Sequence, residues 1–423
     1  MNPVDEHQTP ENEIRHLIRS LLEADVGSGA EIYASLQALI RAEAPLSQNL
    51  GADEDANLHL WRLAVRSTDY AEFERRFRSP VTVTLTSYPP RIAGVAAALD
   101  TIYSQTVPPS EVLLWLAADQ FPQREADLPD ALRTLISESR LTVRWCDDLK
   151  PHKKYFYAFQ EIRNGVIVTV DDDLFYGPQL IENLLLSYVL NPQAVHASRT
   201  HLMAVTEDGR LLPYRYWIKE TDSLFAVPSM QLFATSGAGT LYPAGVFNPA
   251  LFDKDVIRQL CLCQDDLWLK AMELVEGVPV VTAERSRQWT VVPDSQAEGL
   301  YHSNVEQGEN DLAQEKIIRW LDERYGEGFF ASRILSSKDN WAREVGIEAY
   351  SRHSADFFDR MQQRNRESRN ELINEKNARY HELKREFQKL ERENLGMKQS
   401  LSWRLGQALT WLPRMLKKIF RKT

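Results

Sequence analysis

From Pro80 onward, short aliphatic and β-branched runs alternate with stretches whose apolar residues recur every three or four positions. "VTVTLTSYP" (81–89) predicts a strand, closed by two prolines. "GVAAALDTIYSQT" predicts a helix, "EVLLWLA" (111–117) a strand and "LPDALRTLISES" a helix. "LTVRWC" (141–146) then predicts a strand, "KKYFYAFQEI" a helix and "GVIVTV" (165–170) a strand. Strands apolar on both faces and separated by helices imply an α/β domain with a largely parallel sheet. The pattern continues less regularly through "QLIENLLLSYVLNP", "AVHASRTH" and "CLCQDDLWLKAMELVEG". That texture suits a substrate-binding half, so residues 79–335 are taken as one domain.

The flanks differ. Residues 1–78 read as a helical N-terminal leader, with apolar residues at helical spacing in "EIRHLIRSLLEA" and "EIYASLQALIRAEA". Gly27, Gly29 and "PLSQNLGADEDAN" break the pattern. No chemistry is evident there, and a docking or packing role is expected. Residues 350–400 are charged and glycine-poor. Tyr380, Leu383, Phe387, Leu390, Met397 and Leu401 form a short heptad stripe with Asn394 at one inward position. This predicts a coiled-coil helix and a homodimer through it. Residues 401–423 combine Trp403, Trp411 and Phe420 with six Lys or Arg, the composition of a cationic amphipathic helix on an anionic membrane surface. Pro413 should kink it.

The net charge of −10 over 423 residues argues against a general nucleic-acid binder. Three cysteines make no disulfide framework and suit a reducing compartment. The N-terminal stretch lacks the basic and apolar regions of a secretory signal, and no uninterrupted apolar run is long enough to span a bilayer. With the cationic tail, these features predict a cytoplasmic protein, peripheral on the inner face of the cell membrane.

Candidate chemistry begins where "GVIVTV" ends in Asp171, Asp172 and Asp173. Ligands of open α/β sheets bind beyond the carboxyl ends of strands. Three adjacent carboxylates repel one another, and a hard cation bridging them to a diphosphate would relieve that repulsion. Alternation along an extended chain would send Asp171 and Asp173 to one side and Asp172 to the other. No phosphate-binding loop of the G-x-x-x-x-G-K-[ST] type and no G-x-G-x-x-G after the first strand is present. A haloacid-dehalogenase-like phosphotransferase also has an aspartate pair after a strand. It expects Thr or Val where Phe175 stands, however, and uses the first strand of its domain.

Six segments in order, "VTVTLTSYPPRI", "KKYFYAF", "VIVTVDDDLFY", "GAGTLYPAGVF", "CQDDLWLKAM" and "SNVEQGEND", resemble bacterial glycosyltransferases of GT-A fold, related to exostosin-like and family 2-like sugar transferases. The resemblance spans about residues 80–325 and departs from the pattern at Ala238, where a further glycine is expected. It implies transfer of a sugar from a nucleotide-sugar donor to a glycan or lipid-linked acceptor, with Mn²⁺ or Mg²⁺ on the donor diphosphate. It puts Thr86, Ser87, Tyr88 and Arg91 against the nucleotide, and Lys153 or Lys154 within reach of the diphosphate. Asp173 is the first metal ligand expected, with Asp171 behind it and the late His302 as a third, while Asp172 would bind the ribose. Asp266, or its neighbour Asp265, would face the anomeric carbon. In an inverting enzyme it would act as general base, in a retaining one as acceptor positioner, and the sequence leaves both open. Trp217 and Trp289 are candidate sugar-stacking platforms, and Asn304, Asn310 and Asp311 candidate hydroxyl contacts. A non-catalytic membrane-associated scaffold is the alternative outside enzymology.

Overall fold

The computed structural model describes residues 10–25, 27–43, 55–205, 210–220, 225–284, 289–292 and 309–335. The chain divides into two compact units, Met1–Gln362 and Gln363–Thr423, and every described residue belongs to the first. His302, Asn304, the coiled coil and the cationic tail therefore lie outside the described residues.

The leader forms helices α1 (Pro10–Glu23), α2 (Ala30–Ala42), α3 (Ala56–Ser67) and α4 (Tyr70–Phe77). Asp55 caps α3 by accepting from Asn57 N and Leu58 N, and Asp69 caps α4 by accepting from Glu72 N. Then follow β1 (Val81–Thr86), α5 (Val95–Tyr103), β2 (Glu111–Ala117), α6 (Asp130–Ser137) and β3 (Thr142–Cys146). The helix expected from "KKYFYAFQEI" is divided at Tyr157 into α7 (Lys153–Phe156) and α8 (Ala158–Glu161). After them come β4 (Val166–Thr169), β5 (Leu174–Tyr176), α9 (Leu180–Leu190), β6 (Val195–Ala197), β7 (Thr200–Leu202), β8 (Leu232–Ala234) and β9 (Thr240–Pro243). The described part ends with α10 (Lys254–Leu260), α11 (Asp265–Glu276), β10 (Val280–Thr282), β11 (Trp289–Val291), α12 (Glu309–Tyr325) and α13 (Phe329–Leu335).

Among the described residues the main sheet has seven strands in the order β10-β6-β9-β4-β1-β2-β3. β1 pairs in parallel with β2 and β4, β2 with β3, and β10 with β6, whereas β9 runs antiparallel between β4 and β6. The fold is thus mixed α/β with a mostly parallel sheet. From β1 the chain moves outward to β2 and β3, then returns to β4 on the other side of β1. The carboxyl ends of β1 and β4 therefore flank a topological switch point, the place where such sheets open a crevice. Since β9 opposes both β4 and β6, the carboxyl end of β6 lies on that same lip.

The leader is built into the core. Ile14, Leu36, Trp61, Phe73 and Phe77 share one hydrophobic cluster with β1, β4 and α9. Nine of the 11 residues of α9 are buried, because α9 is covered by leader helices as well as the sheet. The buried Glu182 carboxylate accepts from Trp61 Nε1 (2.7 Å), Asn57 Nδ2 (2.9 Å) and Thr106 Oγ1 (2.6 Å), which ties α3 to α9 by charge-assisted bonds. Trp217 is fully buried and donates from Nε1 to Leu212 O (2.9 Å), so it is core and not a stacking platform. Asp311 accepts from Tyr214 N (2.6 Å), a structural contact. No helix of the described residues is long and apolar enough to cross a membrane.

Trp61→Leu removes a fully buried indole and one of the donors to Glu182. It should lower unfolding stability by about 3 kcal/mol in a denaturant titration. A loss under about 1 kcal/mol would contradict the shared core.

Candidate active site

Lys154 is the first residue to place. Its backbone carbonyl accepts from Thr84 Oγ1 (2.6 Å), which fixes α7 against β1. Its buried ammonium bridges two carboxylates, Asp171 Oδ1 at 2.8 Å and Asp265 Oδ2 at 2.9 Å. The two acidic motifs of the sequence thus meet at one cation. Burial alone would lower the proton affinity of the ammonium, yet Asp171 and Asp265 hold it well above the usual lysine range. Lys153, indistinguishable from Lys154 by sequence, turns away to pair with Asp148 at 3.0 Å.

The acidic trio lies past the end of β4, with Asp172 and Asp173 in a turn and not in a continued strand. The expected alternation of its side chains is therefore lost. Asp171 faces Lys154, while Arg91 pairs with both Asp173 and Asp172, the latter at 3.3 Å. Asp172 also accepts from Ser87 Oγ (2.5 Å), and burial pushes its carboxyl up despite Arg91. Side-chain exposure is 39% for Asp171, 5% for Asp172 and 11% for Asp173. Asp171, not Asp173, is the carboxylate most open to a ligand. Burial works against its ionised form, but Lys154, with Arg91 and Arg199 behind it, holds its carboxyl below the usual range.

On the β1 side, Arg91 N and Ile92 N donate to Tyr88 O, a turn that stops the strand at Thr86 and leaves Ser87–Arg91 as a loop on the lip. Arg91 sits 5.9 Å from the Tyr88 ring centroid. Thr86 Oγ1 donates to Trp115 O (2.7 Å), so its hydroxyl is engaged by the neighbouring strand.

The remaining wall is the turn between β8 and β9. Gly237 O accepts from Asp171 N (3.1 Å) and from Tyr176 OH (2.6 Å), stitching the turn to the trio. A methyl group on Gly237 would overlap the Asp171 carboxylate, so a side chain here requires that carboxylate or the turn to shift. One residue earlier, Ser236 donates its N–H to Asp266 Oδ1 (2.8 Å) and its hydroxyl to Asp266 Oδ1 (2.5 Å) and Asp265 Oδ2 (3.1 Å). Asp265 and Asp266 open α11. Burial, and then the neighbouring Asp265 carboxylate, push the Asp266 carboxyl up to about 6, close to the value at which a general base works at neutral pH.

Behind these residues, His152 spans two segments, with Nδ1 against Tyr155 OH (2.6 Å) and Nε2 against Cys261 O (2.8 Å). It ties the Lys154 turn to the loop that leads into Asp265. Ser236, Gly237, His152 and Arg199 were not singled out by sequence. "GAGT" carried a signal for the turn, but none marked the others. Trp289 is buried beneath Arg199, whose guanidinium carbon lies 4.7 Å from a ring centroid, so it offers no free face to a sugar.

Among the described residues no three His, Cys, Asp or Glu side chains converge as a ready-made metal cage. Asp171 and Asp173 do supply hard oxygens of the kind Mg²⁺ or Mn²⁺ takes when substrate phosphates and water complete the shell. The donor set fits such an ion shared with a diphosphate.

Gly237→Ala must displace Asp171 or the turn, and should destabilise the protein by about 1–3 kcal/mol in denaturant unfolding. An unchanged midpoint would be inconsistent with the close approach. His152 and His196, whose Nδ1 contacts Ser187 Oγ (2.8 Å), are pushed by burial down to about 4 and about 3. An unfolded imidazole titrates near 6.5, so on acidification the unfolded chain binds protons first. The stability contributed by these neutral histidines is complete above pH about 6.5. It should fall as pH drops toward about 4, by at most about 2.7 kcal/mol per pH unit for two groups. Replacing both by Gln should flatten that part of the stability–pH curve.

No family model and no curated protein sequence matches the chain. Among solved structures it is similar to a mannosyltransferase, PcManGT, from Pyrobaculum calidifontis in complex with GDP-Man and Mn²⁺. That match has 12% identity and TM-score 0.37, over 80% of this chain and 85% of that one. It is also similar to S. aureus TarS 1–349 in complex with UDP, at 12% identity and TM-score 0.35, over 63% of this chain and 74% of that one. A further crystal structure of S. aureus TarS 1–349 aligns at 13% identity and TM-score 0.33, over 68% of this chain and 92% of that one. Likenesses this distant decide nothing about chemistry, which rests on the residues themselves.

Proposed function

We propose that this protein is a glycosyltransferase of GT-A type that moves a sugar from a nucleotide diphosphate donor to a hydroxyl acceptor. The observation that carries this reading is the Lys154 bridge between Asp171 and Asp265 at the switch point of the sheet. It joins an acidic lip suited to a diphosphate–cation pair with a helix terminus bearing a carboxylate poised near neutrality.

In this reading Ser87, Tyr88 and Arg91 border the nucleotide, and Asp171 with Asp173 would hold Mg²⁺ or Mn²⁺. Such an ion, when bound, would neutralise the charge of the diphosphate. Asp266, oriented by the two Ser236 bonds, takes the proton of the acceptor hydroxyl. The acceptor oxygen then bonds to the anomeric carbon as the bond from that carbon to the phosphate oxygen breaks. The electron pair leaves with the nucleoside diphosphate. A single displacement of this kind inverts the anomeric centre. Residues 401–423 are assigned to an anionic membrane surface, a location suited to a lipid-linked or surface-polysaccharide acceptor, and residues 350–400 to a coiled-coil dimer.

Calorimetry with UDP and GDP, with and without Mn²⁺, tests the donor half of the proposal. A non-catalytic scaffold would bind neither, and that result would end the reading. With the donor in hand, Asp266→Asn should reduce kcat by roughly 10²- to 10⁴-fold with KM little changed. The wild-type kcat/KM should fall on the acid side of pH about 6, as Asp266 becomes protonated. A profile flat from pH 5 to 8 would remove Asp266 as the base.

A further inference from the structure

Arg199 stands two residues past β6, on the lip already described, and the acidic motifs give no reason to single it out. Two parts of the site hold it. Its Nε donates to Thr235 Oγ1 (2.5 Å), at the start of the turn that carries Ser236 and Gly237. Its guanidinium lies over Trp289, the first residue of β11, which pairs with the β5 strand leaving the acidic trio. An arginine fixed by its Nε and by an aromatic face has little freedom left to lose when it binds.

Its terminal nitrogens are not used. Among the described residues they make no hydrogen bond and no ion pair, although the cation is near enough to Asp171 to favour its ionised form. Direct compensation of Asp171 is already supplied by Lys154 at 2.8 Å. Arg91 and Lys154 are each committed to two carboxylates. Among the described residues of this lip, Arg199 is the cation that keeps a planar pair of donors open, the geometry that matches two oxygens of one phosphate.

We propose that Arg199 binds the phosphate oxygens of the departing nucleoside diphosphate, an assignment that rests on the glycosyl-transfer reading above. As the bond from sugar to phosphate breaks, its electron pair stays on the phosphate oxygen. The open N–H groups of Arg199 meet the charge that grows there. Trp289 and Thr235 are positioning residues, acting through the guanidinium they hold.

The test is calorimetry on the full chain with Mn²⁺, using UDP, GDP and inorganic pyrophosphate as probes and uridine and guanosine as phosphate-free controls. Arg199→Ala should weaken binding of the phosphate-bearing probes roughly 10- to 100-fold, the loss of charge-assisted bonds, and leave the nucleosides unaffected. Arg199→Lys keeps the charge and should lose several-fold, because the paired geometry is gone. Trp289→Leu should weaken the same probes by a smaller factor. Thermal unfolding of each variant checks that it is folded, and Arg199→Lys carries the test if Arg199→Ala is not. Wild-type binding with no change in Arg199→Ala or Arg199→Lys would make Arg199 only a countercharge to Asp171, overturning this assignment and leaving glycosyl transfer standing. Equal loss for nucleosides and diphosphates would overturn it too. Failure of the wild type to bind any phosphate-bearing probe would overturn both.

Discussion

The site depends on a buried ammonium shared by two carboxylates. Asp171 comes from the end of β4 and Asp265 from the start of α11, and without Lys154 between them the two would repel across a poorly solvated gap. Burying the Lys154 ammonium and the Asp265 carboxylate is costly, and the arrangement persists only because geometry and further hydrogen bonds offset desolvation. Those bonds are present. Lys154 is anchored through its carbonyl to Thr84 on β1, and its neighbour His152 reaches Cys261 O beside α11. Four segments distant in sequence are thereby held in one register around one charge.

Much of the sheet was legible because its strands are short runs rich in β-branched and apolar residues between helical stretches. Val81–Thr86, Glu111–Ala117, Thr142–Cys146 and Val166–Thr169 fall within or on the segments read as strands. The acidic trio was legible for the complementary reason, an apolar run ending abruptly in charge. The pairing of charges was not legible. Nothing local separates Lys153 from Lys154, yet one meets Asp148 and the other the site. Alternation misplaced Asp172 and Asp173 because the strand stops at Thr169, before the trio begins. The leader showed its first two helices by periodicity, but not that α3 would give Trp61 and Asn57 to Glu182 on α9. Such partners are fixed by tertiary contact alone.

The turn between β8 and β9 connects the two halves of the site. It approaches Asp171 so closely that a side chain at position 237 would displace that carboxylate, and in the next residue back it supplies both donors to Asp266. Displacement of this turn would therefore disturb the lip and the helix terminus together. Arg199, bonded to Thr235, rides on the same element. One short segment thus touches Asp171, Asp266 and Arg199.

The different fates of the carboxylates follow from what neutralises each. Asp171 and Asp265 share a full positive charge, and Asp173 and Asp172 face Arg91. Asp266 receives only the neutral donors of Ser236, which compensate less than an ion pair does. It is half-buried beside Asp265, and desolvation and the neighbouring carboxylate both favour its protonated form. Asp171, facing the Lys154 ammonium, is held below the usual carboxylate range, whereas Asp266, held by neutral hydrogen bonds, is pushed up to about 6. Within this cluster, the same contacts that stabilise the fold therefore leave Asp266 as the group suited to move a proton.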